Sequence, residues 1–406
     1  MHSFLVLALI SFVSIIGAST PEQVHISLGE DATSMVVTWV TFHATPPPII
    51  QYGPTQSMTY KHVGHTDVFE SSDHTRYVHT GTLPSLSPNT VYYYKVGTAD
   101  GWSKQFQFKT FPAGNDFKFR VCVFGDLGYH HGNSIPDLMK AADNEWFDMI
   151  IHVGDIAYDL DATDDDGHNI GDKYMRELEP VFSRYPYMVI AGNHENDHKN
   201  FSHFHHRFRM PGEVGGHHNN QYYSYNVGPA HFFGVSTEYY GYKNEYGTAP
   251  ILSQYNWLNN DLQKANTNRA SRPWIIGYQH RPFYCSNTHC PVDEEPFIRI
   301  GEGNIPGLEP VYIKNKIDLQ FWGHMHSYER FYPIANMFPQ DNGQSSYTYH
   351  NAAAPAYVIT GSAGCHTPKT PFGTPHPGSV FRYSTIINFA HLTHTVLGLM
   401  IMDIQL

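Results

Sequence analysis

From about residue 21 to residue 111 the chain alternates apolar and polar positions with a period of two, the pattern of strands half buried in a sheet. Met35-Val36-Val37-Thr38-Trp39-Val40 and Val91-Tyr92-Tyr93-Tyr94-Lys95-Val96 are the clearest runs. Pro46-Pro47-Pro48, Pro84, Pro88-Asn89 and Asp100-Gly101 punctuate the segment with turn chemistry. Short strands with turns at this spacing predict an all-β sandwich as the N-terminal domain, residues 20–112.

Past Pro112-Ala113-Gly114-Asn115-Asp116, which reads as a linker, the pattern changes. Apolar runs from Phe117 to Phe124, Asp148 to Val153, Pro186 to Ile190, Trp274 to Ile276 and Ile317 to Trp322 predict buried strands. Ser134 to Trp146 places Leu138, Ala141 and Ala142 at helical spacing, and a second helix is predicted from Ile170 to Ser183. Strands alternating with helices predict an α/β layered domain over residues 113–406, with β-α-β sheets and helices outside. Leu86-Ser87-Pro88-Asn89-Thr90-Val91-Tyr92-Tyr93, back in the sandwich, resembles the fibronectin type III corner, where a tyrosine hydroxyl satisfies nearby backbone.

The termini bear on localisation. The apolar run from Phe4 to Ile16, followed by Gly17-Ala18-Ser19, is too short for a membrane span and reads as a secretory signal over residues 1–19. Secretion is therefore expected, with lysosomal delivery as an alternative that looks the same in sequence. The run from Val396 to Met402 is also too short to span and reads as a terminal strand. Four cysteines leave the core to hold the fold. Cys122 lies within an apolar run, Cys285 and Cys290 could close a small loop, and Cys365 could compete for either. Asn200-Phe201-Ser202 is a glycosylation sequon, usable in a secreted chain.

Charge narrows the partners. A formal charge of -12 argues against nucleic acid, whose binding relies on Lys and Arg neutralising phosphates. It does not exclude small phosphorylated substrates, because metal charge can dominate a site. The acidic run of Asp161, Asp164, Asp165 and Asp166 reads as a solvated loop, and His203, His205, His206, His217 and His218 as exposed residues.

The candidate chemistry lies at the strand ends, where ligands bind in layered α/β sheets. Five segments stand there: Asp126-Leu127-Gly128, Gly154-Asp155-Ile156-Ala157-Tyr158, Gly192-Asn193-His194-Glu195, Gly277-Tyr278-Gln279-His280 and Gly323-His324-Met325-His326. Two cations need a bridging carboxylate, and Asp155, central in the set, is the candidate. His324 and His326 are two apart, so an extended backbone would let them reach different ions. A tyrosine, with a free pKa of about 10, is a worthwhile ligand only to a highly charged ion, Fe(III) above all. Asp126 and Tyr158 suit such an ion; Asn193, His280 and His324 suit a divalent one such as Zn, Fe or Mn.

These segments, with Ser327-Tyr328-Glu329-Arg330 continuing the last, resemble the blocks of the purple acid phosphatases within the calcineurin-like metallophosphoesterases. The resemblance covers roughly residues 22–390 and includes the sandwich. It implies Asp126, Asp155, Tyr158 and His326 on Fe(III), and Asp155, Asn193, His280 and His324 on the divalent ion. The wider superfamily has a histidine where this chain has Gly128, and Tyr158 would replace that ligand. His194 would face the substrate phosphate and protonate the leaving alcohol; His289, beside Cys290 where plant members carry paired histidines, would assist. The implied activity is hydrolysis of phosphate monoesters, small ones or phosphoproteins, at acidic pH, with a hydroxide generated at the metals attacking phosphorus. A non-catalytic binding protein on the same scaffold, and a diesterase or nucleotide hydrolase, are the competing readings. The segment from His391 departs from the family's closing strand, so an altered C-terminal edge is expected.

Overall fold

The computed structural model describes residues 20–30, 33–197, 200–212, 220–290, 295–340, 348–364, 371–383, 395–396 and 398–405. The leader expected over residues 1–19, Cys365, His217 and His218 lie outside these.

The alternating N-terminal segment forms two antiparallel sheets. Glu22–Leu28, Met35–Thr41, Thr75–Leu83 and His65–Glu70 make one in that order; Tyr60–Val63, Ile49–Gly53 and Val91–Thr98 make the other, which Gly101–Trp102 and Phe106–Lys109 extend. Val24, Ile26, Val37 and Trp39 share one core with Ile50, Tyr94, Val96 and Phe108 of the opposite sheet. Met35–Thr41 is buried along its whole length, because its outer face is covered as well. At the corner the Tyr92 hydroxyl accepts the Ser87 N–H at 2.9 Å, so the tyrosine satisfies backbone as the corner pattern implies.

Two larger sheets form the framework of the second domain. In one, Tyr187–Ile190, Met149–Val153 and Phe119–Phe124 run parallel, and Leu399–Ile404 pairs antiparallel with Phe119–Phe124. In the other, Ala230–Val235, Trp274–Tyr278, Leu319–Trp322 and Ala356–Thr360 run parallel. Tyr222–Val227, Tyr328–Phe331 and Ser379–Tyr383 complete it. Alternation sorts the side chains into layers. Val121, Val123, Ile151 and Ile190 pack between the sheets with Phe232, Ile276 and Phe321. Cys122, Phe124 and Ile150 face outward onto Leu138, Tyr174 and Phe182 from helices on that side. Phe233, Ile275 and Trp322 do the same beneath Leu258, Leu262 and Tyr312.

The C-terminal edge is not lost. Leu399–Ile404 is a terminal strand, as its apolar run predicts, and it supplies a partner to the strand that leads to Asp126. The predicted second helix is two, Ile170–Glu177 and Glu179–Phe182, which break at Leu178 ahead of Pro180, a residue with no N–H for the ladder. The longest helix, Ala249–Thr267, was not anticipated, since its buried Ile251, Leu258 and Leu262 are a narrow stripe among Asn and Gln. Cys285 and Cys290 form a disulfide, and Cys122 is a buried free thiol. No helix among the described residues is long and apolar enough to cross a membrane.

Candidate metal centre

Parallel strands bring their carboxyl ends to one edge, and each ends in a turn that carries a polar side chain. Asp126 follows Phe119–Phe124, Asp155 follows Met149–Val153, Asn193 follows Tyr187–Ile190, His280 follows Trp274–Tyr278, and His324 follows Leu319–Trp322. Asp126, Asp155, Tyr158 and His324 all adopt positive φ, at 58°, 52°, 50° and 67°. Non-glycine residues rarely do so, and the surrounding structure must hold them there. The glycines before the ligands make room for neighbouring ligands. A Cβ on Gly154 would lie 2.4 Å from Nδ1 of His280, and one on Gly192 would lie 2.3 Å from Oδ1 of Asp155.

The donor atoms fall into two triads that share Asp155. Asp126, Asp155 and His326 form one, and Asp155, His280 and His324 the other. Tyr158 joins the first, its hydroxyl 2.9 Å from Nε2 of His326 and 3.2 Å from Oδ1 of Asp126. Asn193 joins the second, its Oδ1 2.9 Å from Nδ1 of His324 and 3.1 Å from Nε2 of His280. All the residues expected to ligate thus meet, in the two groups the resemblance implies. The donors suit cations. His280 Nδ1 lies 2.8 Å from the Val153 carbonyl oxygen, which can only accept. That places a hydrogen on Nδ1 and turns Nε2 toward Asn193 and Asp155; against burial, Asp155 raises the metal-free imidazole to about 10. Burial disfavours the Asp155 charge, but His280, with His194, holds its carboxyl well below the usual range. Burial, with His280 beside it, drives His324 well below the imidazole range, so it offers a neutral ring.

Gly128 carries no ligand, and its space is taken by the Tyr158 ring: a Cβ there would lie 3.0 Å from Cδ2 of the tyrosine. His194 stands beside the centre. Its N–H donates to Asp155 Oδ1 at 3.0 Å, its ring packs edge-on to Tyr158, and its Nδ1 lies 2.5 Å from Asp159. Burial opposes its charge, but Asp159 and Asp155 outweigh that and raise the imidazole to about 9. His289, in contrast, is exposed on the disulfide loop and is not brought into the donor set. The loop's Cys290 sulfur touches Met325, between His324 and His326, at 4.0 Å. Asn200 of the sequon is exposed.

Two residues of the site escaped the sequence reading. Asp159 was passed over as the residue after Tyr158. Glu195, 1% exposed, accepts N–H bonds from Asp155 at 2.9 Å, Gly192 at 2.7 Å and Ile156 at 2.8 Å. It ties the turn of the shared carboxylate to the turn of Asn193. Burial, with Asp155 nearby, raises its carboxyl to about 8. Its place at the end of Gly192-Asn193-His194-Glu195 was the available signal. The acidic loop binds its own cation, since Lys173 Nζ lies 2.6 Å from Asp164 and 2.5 Å from Asp166. His203 is not exposed as expected but 2% exposed, packed on Phe69, and His205 and His206 are half-buried rather than exposed.

Both domains match known proteins. Residues 21–110 match a family described as purple acid phosphatase, N-terminal domain, and residues 119–328 match calcineurin-like phosphoesterase. The chain is 41% identical to human acid phosphatase type 7, over 90% of this chain and 83% of that protein. It is 32% identical to probable purple acid phosphatase 20 of Arabidopsis thaliana, over 77% of this chain and 69% of that one. The structure of purple acid phosphatase PPD1 from yellow lupin seeds superimposes with a TM-score of 0.74 at 25% identity, covering 91% of this chain and 69% of that one.

Proposed function

The chain belongs to the purple acid phosphatases, and from that premise we propose that it hydrolyses phosphate monoesters at acidic pH at a centre of Fe(III) and a divalent ion. The observation that carries this reading is the pair of donor triads sharing Asp155, with a phenol in one, an amide in the other and no side chain at Gly128. Asp126, Asp155, Tyr158 and His326 would hold the trivalent ion, and Asp155, Asn193, His280 and His324 the divalent one, Zn, Fe or Mn. When bound, such a pair neutralises phosphoryl charge and lowers the pKa of water enough to supply a nucleophile in acid.

The chain's own residues do the rest. Asp155 keeps the two triads in one register. His194, held cationic by Asp159, attracts a phosphate oxygen and delivers its proton to the departing alcohol. That proton step is assigned first to His194, with His289, on the disulfide loop beside Met325, assisting. The leader-like N-terminus and exposed Asn200 support a secreted or lysosomal glycoprotein.

Metal analysis with a visible spectrum tests the reading. The expected result is one iron and one divalent ion per chain, with a phenolate-to-iron band that Tyr158→Phe removes. A band that survives Tyr158→Phe would overturn the assignment. Rates on an aryl monoester and its diester from pH 4 to 7 separate this activity from a diesterase, and no turnover by metal-replete protein would favour a binding role.

A further inference from the structure

The N-terminal sandwich shows no cluster of catalytic residue types among its described residues; Glu22–Leu28 packs on the strand Tyr187–Ile190, and the sandwich's polar contacts with the second domain concentrate on two segments. One, residues 170–183, follows the turn that carries Tyr158. The other, residues 202–209, follows the turn that carries Asn193 and His194.

On the first segment, the fully buried guanidinium of Arg76 lies between Asp73 of its own domain, at 2.7 Å, and Asp172 of the helix Ile170–Glu177, at 2.7 Å. Asp172 also receives Arg207 at 2.8 Å and Gln23 at 3.1 Å. Two guanidiniums and two carboxylates balance within the interface. Such a network contributes little net stability but tolerates the loss of a partner poorly. The Tyr94 hydroxyl donates to the Ser183 carbonyl at 2.7 Å. On the second segment, Phe69 stacks on His206 at 4.2 Å, and the Ser27 hydroxyl donates to the Arg209 carbonyl at 2.5 Å.

From this interface a short run of contacts leads to the metal centre. Gly171 packs so closely on the Leu160 carbonyl that a Cβ would come within 2.5 Å of it, and within 3.1 Å of the Arg207 guanidinium. The Ile170 N–H donates to the Ala162 carbonyl at 2.8 Å, and the Ala162 N–H to the Asp159 carbonyl at 3.2 Å. Asp159 then meets His194 at 2.5 Å.

We propose that the sandwich serves the reaction as a brace, with Arg76 as a positioning residue that holds the Tyr158 and His194 turns through the helix Ile170–Glu177. The inference rests on the proposed phosphatase reading only for what those turns do. Its main test therefore uses metal-free full-length protein. Arg76→Met, similar in length but uncharged, is compared with wild type by amide hydrogen exchange. The expected result is exchange about tenfold faster across residues 156–169, equivalent to ~1.4 kcal/mol of local opening, with Leu319–Trp322 in the other sheet unchanged. Arg76→Lys keeps a cation but cannot bridge both carboxylates as well, so it falls between; if Arg76→Met does not fold, Arg76→Lys carries the test. In metal-loaded protein, kcat on an aryl phosphate falls while KM changes less than about twofold. Exchange unaltered in residues 156–169, or raised equally everywhere, would overturn the brace and leave the sandwich a spacer. A wild type without a visible band would remove the iron assignment while the exchange result still stood.

Discussion

Replacing Asp159 with Asn isolates the ion pair that holds His194 protonated. The carboxylate lies 2.5 Å from the His194 Nδ1, and the two side chains are 45% and 33% exposed. Against burial, Asp159 and Asp155 together raise the imidazole from 6.5 to about 9, and the Asp159 hydrogen bond leads the groups that raise it. Exposure screens the pair, so only part of that rise is lost with the carboxylate. The expected fall is therefore about one unit, or ~1.4 kcal/mol. Bound cations lower the imidazole in both proteins, which moves its titration toward the acid range and leaves the difference between them. The sign follows from the role. His194 must be protonated to donate, so activity falls as pH rises through its pKa, and Asp159→Asn moves that alkaline limb to lower pH. The assay is kcat against pH for an aryl phosphate whose leaving alcohol needs a proton, with an activated leaving group as the control. An alkaline limb in the same place would refute the pairing of Asp159 with a proton-donating His194. A limb moved equally for both substrates would assign His194 to phosphate binding instead.

Other outcomes follow from the same structure. Glu195→Ala leaves three buried N–H donors without their acceptor, at about 1–3 kcal/mol, and is expected to weaken metal retention about tenfold or more in dialysis against a chelator. Retention equal to wild type would refute the role given to Glu195. Gly128→Ala meets the Tyr158 ring at 3.0 Å on a backbone with φ of 73°; about 1 kcal/mol of strain and a perturbed visible band are expected, and an unchanged spectrum would count against Tyr158 filling that space. Burial lowers His25 and His205 to about 4, and His79 to about 4 as well. Their unfolded forms take up protons below about 6.5 that the folded forms refuse, so stability falls as pH drops from 6.5 toward 4, by up to ~3 kcal/mol for His25 alone. Arg76 and Arg207 hold Asp172 well below that window, and Glu195, raised to about 8, titrates with the opposite sign, so urea midpoints of metal-free Glu195→Ala protein between pH 4 and 6.5 report mainly the histidines. A flat profile would refute their neutral burial.

The sequence by itself determined most of the elements and the candidate donors, for a local reason. Strand periodicity marks where a buried run stops, and Asp126, Asp155, Asn193, His280 and His324 stand within a few residues of such stops. Parallel pairing then brings those ends to one edge, so the donor set was legible before any coordinate. The helix Ala249–Thr267 was not, because its apolar stripe is too narrow to stand out from Asn and Gln. Nor were Asp159 and Glu195, whose importance lies in what they touch: an imidazole 35 residues away and amides up to 40 away. The burial of His203, the Cys285–Cys290 pairing and the Arg76–Asp172 clamp across 96 residues belong to the same class. Periodicity reports which way a side chain faces along its own strand or helix. Which distant group it meets there depends on how separate elements pack, and only the tertiary structure decided that.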